Sequence, residues 1–537
     1  MRTAILGGES GKRGFFGGRH AKARLWLMGG GIVAGLVLSL MFNPWGLIAL
    51  GVLPAIGYLL TEQTTNDTLL TRTQTKRRWE WRVKNNLHMF VPFDPDRWEE
   101  LNQTAINADR KHRKDALRDI QVMRDTPDGV VGMSWLRSQV GQPGVQLHQP
   151  PFAEDYLAVT FRTAGMIEGI DSETAFDTAQ AGFGRFTASL GAETSLARRV
   201  QTTARVLPAD ASTHSAWLQS RLDHGAVRLL AISYRQVIDR FRFGQLNQRN
   251  YITISWPIGH AFRTKAARRG EGRDGWAALM QEEIRQTRQN LQAAGFKQVV
   301  ALTARQTMAV IRHLQLPLFD IDQVSDLSPY HGWLPSLDAW SYTTYLGEIE
   351  GTTHMSLART ARLSAGKIDT AERDIFWLDG LLTRMGKQIA RTISFHQELY
   401  PQAEARAEAE ADTSSDQAEQ LRRAKAGALQ SAEVKATQSA AERRQADLAP
   451  GSGIAGANWV GYITIAAGDK PALVDAVEAV EAAAAELGVR ELDWLDTYQA
   501  AAAATTWPVG RGISPRRSST TSRVRTLLSG SGPEEAL

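Results

Sequence analysis

The feature that most constrains this chain is a stretch of 37 residues, from 25 to 61, that contains no charged side chain. Its first apolar run, residues 25–42, would extend about 27 Å as a helix, close to the ~30 Å of a bilayer's hydrocarbon core. An Asn-Pro-Trp-Gly sequence at 43–46 then provides turn-forming residues, and a second apolar run covers residues 45–60. This pattern predicts a transmembrane hairpin of two helices over residues 25–61.

The composition of the two runs indicates how they would pack. The second run contains Pro54, which a transmembrane helix tolerates when a neighbouring helix satisfies the freed carbonyl. Small residues would let the two helices approach closely. Six glycines are available for this: Gly29, Gly30, Gly31, Gly35, Gly51 and Gly57. The alternatives are a buried helical hairpin and a cleaved signal peptide, although a signal peptide normally ends after about 7–15 apolar residues.

Basic residues flank the apolar stretch on both sides and are absent from its turn. They are Arg2, Lys12, Arg13, Arg19, Lys22 and Arg24 before it, and Arg72, Lys76, Arg77, Arg78 and Arg82 after it. Because cytoplasmic loops are enriched in Lys and Arg, both termini are predicted to be cytoplasmic. The chain is therefore predicted to be a multi-pass protein of the inner (plasma) membrane.

The composition of the chain excludes several kinds of functional site and says less about its fold. The chain has no cysteine, which excludes disulfides, thiolate zinc sites and thiol catalysis. Its net charge of +5 over 537 residues is small, so charge alone is weak support for nucleic-acid binding. A chain of this length corresponds to roughly two to four globular units.

After the first 150 residues the chain alternates strand-like and helix-like segments. Residues 156–162 alternate with period two, as a half-buried strand does, and residues 172–190 have a helical pattern with a serine cap. One order of elements occurs twice: a YITI strand, a helix ended by glycine, a second strand and a further helix. The first copy covers residues 251–315 and the second covers 462–504. This repetition predicts an α+β fold with duplicated ferredoxin-like units.

Two further segments complete the predicted organisation. Residues 401–450 are rich in Ala, Glu, Gln, Arg and Lys and lack aromatics, which favours a long exposed helical hairpin; a charged flexible linker is the alternative. Residues 514–537 are rich in Ser, Thr and Gly, which predicts a disordered tail. The predicted domains are a basic cytoplasmic N-terminus (1–24), the transmembrane hairpin (25–61), a connector (62–150), an α+β domain (151–400), the helical hairpin or linker (401–450), a second α+β unit (451–513) and the tail (514–537).

No motif in the chain specifies a catalytic, cofactor-binding or metal site. The sequence GGESGK at 7–12 resembles a phosphate loop, but its spacing fails and no strand precedes it. The eleven histidines occur singly, so His313 and His396 are interpreted as structural residues rather than ligands. The basic loop 268–273 could hold phosphate or an acidic partner surface, but is more typical of a solvated loop. Basic residues near the C-terminus could bind nucleic acid or anionic lipid. They are Arg511, Arg516, Arg517, Arg523 and Arg525.

Six blocks of the sequence are distinctive: Trp135-Leu136 after residues 124–129, 199–208 (RVQTTARVLP), 302–306 (LTARQ), 394–399, 459–465 (WVGYITI) and, most specific, 495–512 (LDTYQAAAAATTWPVGRG). Together they resemble a family of actinobacterial integral-membrane proteins encoded at conjugation loci. The resemblance covers nearly the whole chain.

That resemblance implies a component of a type IV secretion or conjugative DNA-transfer apparatus. The hairpin is similar to small PrgI-like membrane subunits, and the soluble part looks like the N-terminal, non-motor part of VirB-type secretion ATPases. The implied partners are the lipid bilayer, a separate secretion/conjugation ATPase and other machine subunits; a homo-oligomer is also open. The resemblance supplies no catalytic residue, so the chain is expected not to be an enzyme and to need no cofactor.

The sequence is also compatible with two other functions. One is a membrane-tethered enzyme with an unrecognised active site. The other is a membrane-tethered DNA-binding protein that uses the basic tail, for which the sequence gives only weak support.

Overall fold

The computed structural model of the protein describes residues 4–6, 21–42, 50–56, 63–64, 67–107, 109–151, 153–167, 171–208, 221, 227–242, 246–322, 324–330, 332–349, 351–374, 376–385, 389–406, 446–448 and 454–513. The chain divides into two compact units. The smaller comprises Gly7–His88, and the larger comprises Met1–Leu6 with Met89–Leu537.

The smaller unit brings the two apolar runs together. Its helix α1, Ala21–Phe42, packs against the helical residues 50–56. A Cβ atom on Gly35 would lie 2.5 Å from the Cα atom of Leu50, and Gly31 faces the same helical segment almost as closely. Any larger residue would separate these backbones, so the close packing predicted from the glycines is confirmed at these two positions.

The other glycines of the two runs do not share this role. Gly29, Gly30 and Gly51 face open space, and Gly57 lies outside the described residues.

Within the part of the chain that the structure describes, no helix combines the length and the hydropathy needed to span a membrane.

The basic segment predicted as a connector at 71–84 is helical. It forms α2, Leu69–Lys84, which follows the short paired strands β2 (Gln63–Thr64) and β3 (Asp67–Thr68). Arg82 lies in its last turn and donates from Nη2 to the carbonyl of Leu87 at 3.0 Å, which satisfies an acceptor just beyond the helix end.

The larger unit is built around a 14-stranded mixed sheet, in which β4 and β5 pair parallel and the other neighbours pair antiparallel. From Met89 onward, the segment predicted as a connector supplies four of its strands. A separate pair joins β1 (Ala4–Leu6) to β15 (Ala371–Arg373). The strands of the large sheet are β4 (Met89–Pro92), β5 (Met123–Arg124), β6 (Met133–Arg137), β7 (Val145–His148), β8 (Tyr156–Ala164), β9 (Arg199–Pro208), β10 (Leu246–Pro257), β11 (Lys297–Ala301), β12 (Ser336–Asp338), β13 (Thr343–Ile349), β14 (Thr352–Leu363), β16 (Ala390–Tyr400), β17 (Gly456–Ala467) and β18 (Asp493–Trp494).

Helices connect and cover these strands. They are α3 (Pro95–Asn107), α4 (Arg110–Val122), α5 (Glu173–Gly191), α6 (Arg228–Arg242), α7 (His260–Ala267), α8 (Gly272–Ala293), α9 (Ala304–Gln315), α10 (Asp379–Leu382), α11 (Lys470–Glu486) and α12 (Gln499–Ala503), with 3-10 turns at Ala365–Lys367 and Ala504–Thr506. The unit is therefore a mixed α+β fold, as predicted.

The same connectivity occurs twice within the sheet. The first set runs β8-α5-β9-β10-α8-β11, and its strands lie in the spatial order β11-β8-β10-β9. The second runs β14-α10-β16-β17-α11-β18, and its strands lie in the order β18-β14-β17-β16. In both, the fourth strand borders the first, and the third lies between the first and the second. The two YITI sequences occupy the third strand of each set, at 251–254 and 462–465.

Strands β9 and β16, the second strands of the two sets, join them. They pair antiparallel from Val206 opposite Arg391 to Arg199 opposite Glu398. Because two edge strands satisfy each other's backbone groups, the two sets become one continuous sheet rather than two sheets with open edges.

Helices cover one face of this sheet with two apolar cores. Side chains alternate between the faces of a strand, and the residues pointing to this side are apolar: Val159 on β8 and Ile254 on β10, for example, pack against α5 and α8. In the second set Ile463 and Ile465 on β17 pack against α11. Burial of these side chains fixes the strand register, since a shift of one residue would expose them.

Several predicted elements are confirmed in detail. Helix α5 begins after Ser172, whose side chain accepts from the backbone N–H of Ala175 at 3.2 Å. Helix α9 is the further helix predicted at the end of the copy 251–315, and it begins with a reciprocal capping box between Thr303 and Gln306. Most of the helical hairpin or linker predicted at 401–450, and all of the tail predicted at 514–537, lie outside the described residues.

The capping box yields a test of the fold. Replacing Thr303→Ala removes the acceptor for the Gln306 N–H, so the free energy of unfolding should fall by about 1 kcal/mol. Thr178→Ala is the matched control, because this exposed mid-helix threonine bonds only within its own helix and its replacement should change stability by less than about 0.5 kcal/mol. Chemical denaturation measures both. Equal effects of the two substitutions would contradict the role of the cap.

Candidate functional site

The opposite face of the large sheet is polar, yet it is buried. On β9 the residues pointing to this side are Arg199, Gln201, Thr203 and Arg205, each at most 5 % exposed. The same alternation continues on the neighbouring strands. It places Gln146, His148, Thr160, Thr253, Ser255, Thr360, Thr392, Ser394, His396 and Thr464 out of contact with solvent. Buried polar groups are costly unless hydrogen-bonded, so the partners of this face decide its role.

Much of this face is covered by the protein's own residues 497–513, here named the covering segment. Its alanine-rich start forms α12 and a 3-10 turn that are fully buried. Trp507 then packs 5.7 Å from the ring of Trp333 in a third core that includes α9. Thr505 and Thr506 end the 3-10 turn, and from Thr505 onward the backbone carbonyls are available to side chains of the sheet.

Gln201 holds the covering segment at three points. Its Nε2 donates to the carbonyls of Thr505 at 3.3 Å and Trp507 at 2.7 Å, and to the Ser394 hydroxyl at 3.0 Å. Its Oε1 accepts from the backbone N–H of Gly510 at 2.8 Å. Because Gln201 lies on β9 and Ser394 on β16, this amide connects both sets of strands to the covering segment.

Side chains of β7 and of the first set bind the next carbonyls of the covering segment. Gln146 Nε2 donates to Pro508 O at 2.9 Å, and Thr160 Oγ1 donates to the same carbonyl at 3.0 Å. Tyr156 donates from its hydroxyl to Val509 O at 3.0 Å. His148 stacks on Tyr156 with ring centroids 4.5 Å apart, and donates from Nε2 to Gln146 Oε1 at 2.9 Å, which orients that amide.

The second set supplies equivalent donors. His396 Nε2 lies 2.7 Å from the carbonyl of Thr505, and because a carbonyl only accepts, this nitrogen carries the proton. The Tyr462 hydroxyl donates to Gly512 O at 2.5 Å. The hydroxyls of Thr464 and Thr506 lie 2.9 Å apart.

A pair of threonines occurs at the same place in both sets. Thr160 on β8 and Thr253 on β10 have hydroxyls 3.1 Å apart, while Thr360 on β14 and Thr464 on β17 have hydroxyls 2.8 Å apart. Each pair joins the first and third strands of its set, so the two sets match in their buried polar contacts as well as in strand order.

Gly510 allows the covering segment to approach the sheet. Its φ is +68°, and a Cβ atom there would lie 2.4 Å from the Ser255 hydroxyl. Any other residue would therefore be strained by the backbone conformation and would clash with the polar face.

Charged residues surround the hydrogen-bonded centre. Arg199 lies 3.5 Å from Glu398, its register partner across the junction of β9 and β16. Arg205 donates to His313 O at 2.6 Å, and burial lowers its pKa to about 9. Arg511 donates to the carbonyls of Gly129 at 3.1 Å and Val131 at 2.7 Å, which fixes the end of the covering segment.

Burial sets the protonation states of this face. It lowers the pKa of His396 to about 4 and that of His148 well below its usual 6.5, so both rings are neutral at pH 7. Burial also raises the pKa values of Tyr156 and Tyr462 to about 12, so their hydroxyls remain donors. These side chains are thus suited to hold a peptide backbone by neutral hydrogen bonds.

Two of the residues singled out by the sequence, His396 and Arg511, belong to the polar face and to the covering segment. His313 is buried in α9, where its pKa is lowered by burial, and His396 belongs to the polar face. In the basic loop 268–273, Arg269 forms an ion pair with Glu282. The expectation that no strand precedes residues 7–12 was wrong, because β1 ends at Leu6. Loop 7–12 itself and the arginines beyond 513 lie outside the described residues. Among the residues that the structure describes, no group of His, Asp and Glu could hold a metal ion.

No protein-family model matches this chain, and no curated protein matches it.

The sequence alone did not identify the residues that hold the covering segment. The signal was present, since polar residues alternate along 199–208, but alternation normally marks a solvent-facing side of a strand. What buries them is a segment some 300 residues further along the chain, at Thr505, Trp507 and Gly510.

Gln201 gives a direct test of this arrangement. Gln201→Ala leaves the Trp507 carbonyl and the Gly510 N–H without this partner, and each such loss costs about 1–3 kcal/mol, so the free energy of unfolding should fall by several kcal/mol. Hydrogen exchange of the amides in 499–510 should accelerate more than exchange in α5. Gln248→Ala is the matched control, an exposed glutamine of the same sheet that should change stability by less than about 0.5 kcal/mol. Unchanged exchange in 499–510 would show that the covering segment does not depend on Gln201.

The histidines predict a pH dependence. Because the pKa of His396 is about 4 in the folded chain and near 6.5 when unfolded, the unfolded state binds the extra proton between these pH values. The contribution of His396 to the free energy of unfolding is therefore fully present above pH 6.5. It is lost as the pH falls from 6.5 to 4, and the loss at pH 4 is on the order of 3 kcal/mol. His396→Gln keeps a donor for Thr505 O but does not titrate, so urea denaturation between pH 7.5 and 4.5 should show a shallower slope. Identical slopes of stability against pH for the wild-type and His396→Gln chains would contradict a role of His396 in this pH dependence.

Proposed function

We propose that this chain is a non-catalytic inner-membrane subunit of a type IV secretion or conjugative DNA-transfer apparatus, which it serves by anchoring and docking a separate motor ATPase. The observation that carries the proposal is the filled polar face. A broad, hydrogen-bonding sheet surface could have received a substrate, but residues 497–513 of the chain itself cover it and use donors such as Gln201, Tyr156 and His396. A sheet closed in this way suits a rigid scaffold for protein partners.

The membrane part of the proposal rests on the smaller unit. The uncharged stretch 25–61 is apolar enough to favour lipid, and we propose that it forms a two-helix transmembrane hairpin with both termini cytoplasmic. Gly31 and Gly35 support the hairpin, because they let α1 approach the helical residues 50–56. Apolar side chains of α1 also point outward, and Leu40 is 88 % exposed, as expected for a surface that lipid covers.

The body of the protein is proposed to be a duplication. A β-α-β-β-α-β order with the fourth strand beside the first is the ferredoxin-like arrangement, and both strand sets follow it. The matching threonine pairs and the repeated YITI strands support two ferredoxin-like copies within one chain. The insertion at 401–450 is proposed to be a helical arm that contacts partner subunits, either the ATPase or further copies of this chain.

Truncation at either end separates the proposed role from its alternatives. Deleting residues 1–61 should leave the body in the soluble fraction and abolish DNA transfer, because the anchor is lost; fractionation and a mating assay measure both. The detergent-solubilised full chain should also co-purify with the ATPase of the same apparatus. Normal transfer by the truncated chain would contradict the anchoring role.

Deleting residues 514–537 is the companion variant. It removes four of the five arginines considered for nucleic-acid binding while sparing Arg511, which the larger unit already binds. Transfer should persist. Loss of transfer together with loss of salt-sensitive DNA binding would favour the DNA-binding alternative.

A further inference from the structure

Helix α6 occupies an insertion within the first strand set. The chain leaves the sheet at Pro208, the end of β9, and returns at Leu246, the start of β10, although neighbouring antiparallel strands need only a short turn. The intervening residues are therefore not required to connect the strands. Of them, the structure describes Arg221 and residues 227–242, which contain α6.

One side of this helix carries a row of exposed apolar residues, and Leu229 and Ile232 are exposed apolar residues outside that row. Val227, Leu230, Tyr234 and Val237 recur at spacings of three and four residues, which places them on one side of a helix. Their exposed fractions are 63, 65, 39 and 45 %. None of the four belongs to the hydrophobic cores of the larger unit. We name these four residues the apolar stripe.

The same segment is strongly basic. Residues 221–242 contain five arginines and two aspartates, a net charge of +3 in a chain whose whole net charge is +5. Arg228 and Arg240 are exposed. A helix with an apolar stripe, basic flanks and an aromatic residue at its margin has the character of helices that lie in a membrane interface.

We propose that α6 binds the surface of an anionic bilayer, with the apolar stripe in the headgroup and acyl boundary and the arginines at the lipid phosphates. Positive charge is complementary to anionic headgroups, and tyrosine favours the polar edge of a bilayer. This contact goes beyond the proposed function, because it gives the larger unit a membrane-binding site of its own, which does not require the hairpin. A bilayer contact by the hairpin would raise the local lipid concentration at α6 and strengthen the binding.

The absence of native cysteine makes a site-specific test straightforward. Val237→Cys is compared with Ile232→Cys, each carrying a nitroxide label on the full-length chain in nanodiscs. Both positions are β-branched and similarly exposed, 45 and 47 %, but five residues of helix place them about 140° apart. In discs of phosphatidylcholine with phosphatidylglycerol, the label at 237 should become several-fold more accessible to oxygen than to a water-soluble nickel complex. The label at 232 should remain water-accessible. Phosphatidylcholine alone, or 0.5 M salt, should weaken the effect at 237.

Two outcomes would overturn the proposal. The label at 237 could remain accessible to the nickel complex in anionic discs, or it could become shielded to the same extent in neutral discs and depend on protein concentration, which would indicate a second copy of the chain. If the hairpin fails to hold the chain in discs, the same labels are measured with anionic vesicles added to the free protein. The lipid contact of α6 and the proposed anchor can therefore fail separately.

Discussion

The pairing of β9 with β16 is the contact on which the larger unit depends. Each of these strands would otherwise be the edge of a smaller sheet, with a row of unpaired backbone groups. Their antiparallel register, with the Arg199–Glu398 ion pair at one end, merges the two strand sets. The merged sheet is broad enough for helices to cover one face and for the covering segment, together with α9, to cover much of the other.

The polar face follows from that junction. Gln201 and Ser394 lie near its middle, and they can be buried only because the covering segment brings backbone carbonyls to them. Between Thr505 and Gly510 the backbone bonds to its own segment through the N–H groups of Trp507 and Val509, while the carbonyls of Thr505 and Pro508 accept from the sheet. The polar face and the covering segment therefore satisfy each other's buried polar groups. If the contacts of one were lost, the buried polar groups of the other would be left unpaired, which is costly.

Local signals predicted much of the fold. The serine cap at Ser172 and the period-two pattern at 156–162 each depend on neighbouring residues, and each element forms where predicted. The two YITI segments also predicted a repeated order of elements correctly.

The long-range contacts join residues that lie far apart in the sequence. Nothing local in 199–208 indicates that its polar residues meet Thr505 or Trp507 rather than water. Likewise, the repeated order of elements predicted copies over 251–315 and 462–504, whereas strand pairing makes β14 and β16 the first and second strands of the second set. Pairing partners depend on tertiary packing, which periodicity does not encode.

Cross-linking between β9 and β16 tests whether these strands join the two sets into one sheet. In this cysteine-free chain, Thr202→Cys with Phe395→Cys places two thiols directly opposite each other on β9 and β16, while Thr202→Cys with Ile393→Cys displaces one of them by two residues. Opposite residues of an antiparallel pair are close enough for a disulfide with small adjustments, and displaced ones are not. If β9 and β16 pair, we expect rapid oxidation to a 202–395 disulfide within one chain, detected by mass spectrometry. We expect little disulfide between residues 202 and 393. Absence of the first cross-link, or equal yields of both, would contradict the joined sheet.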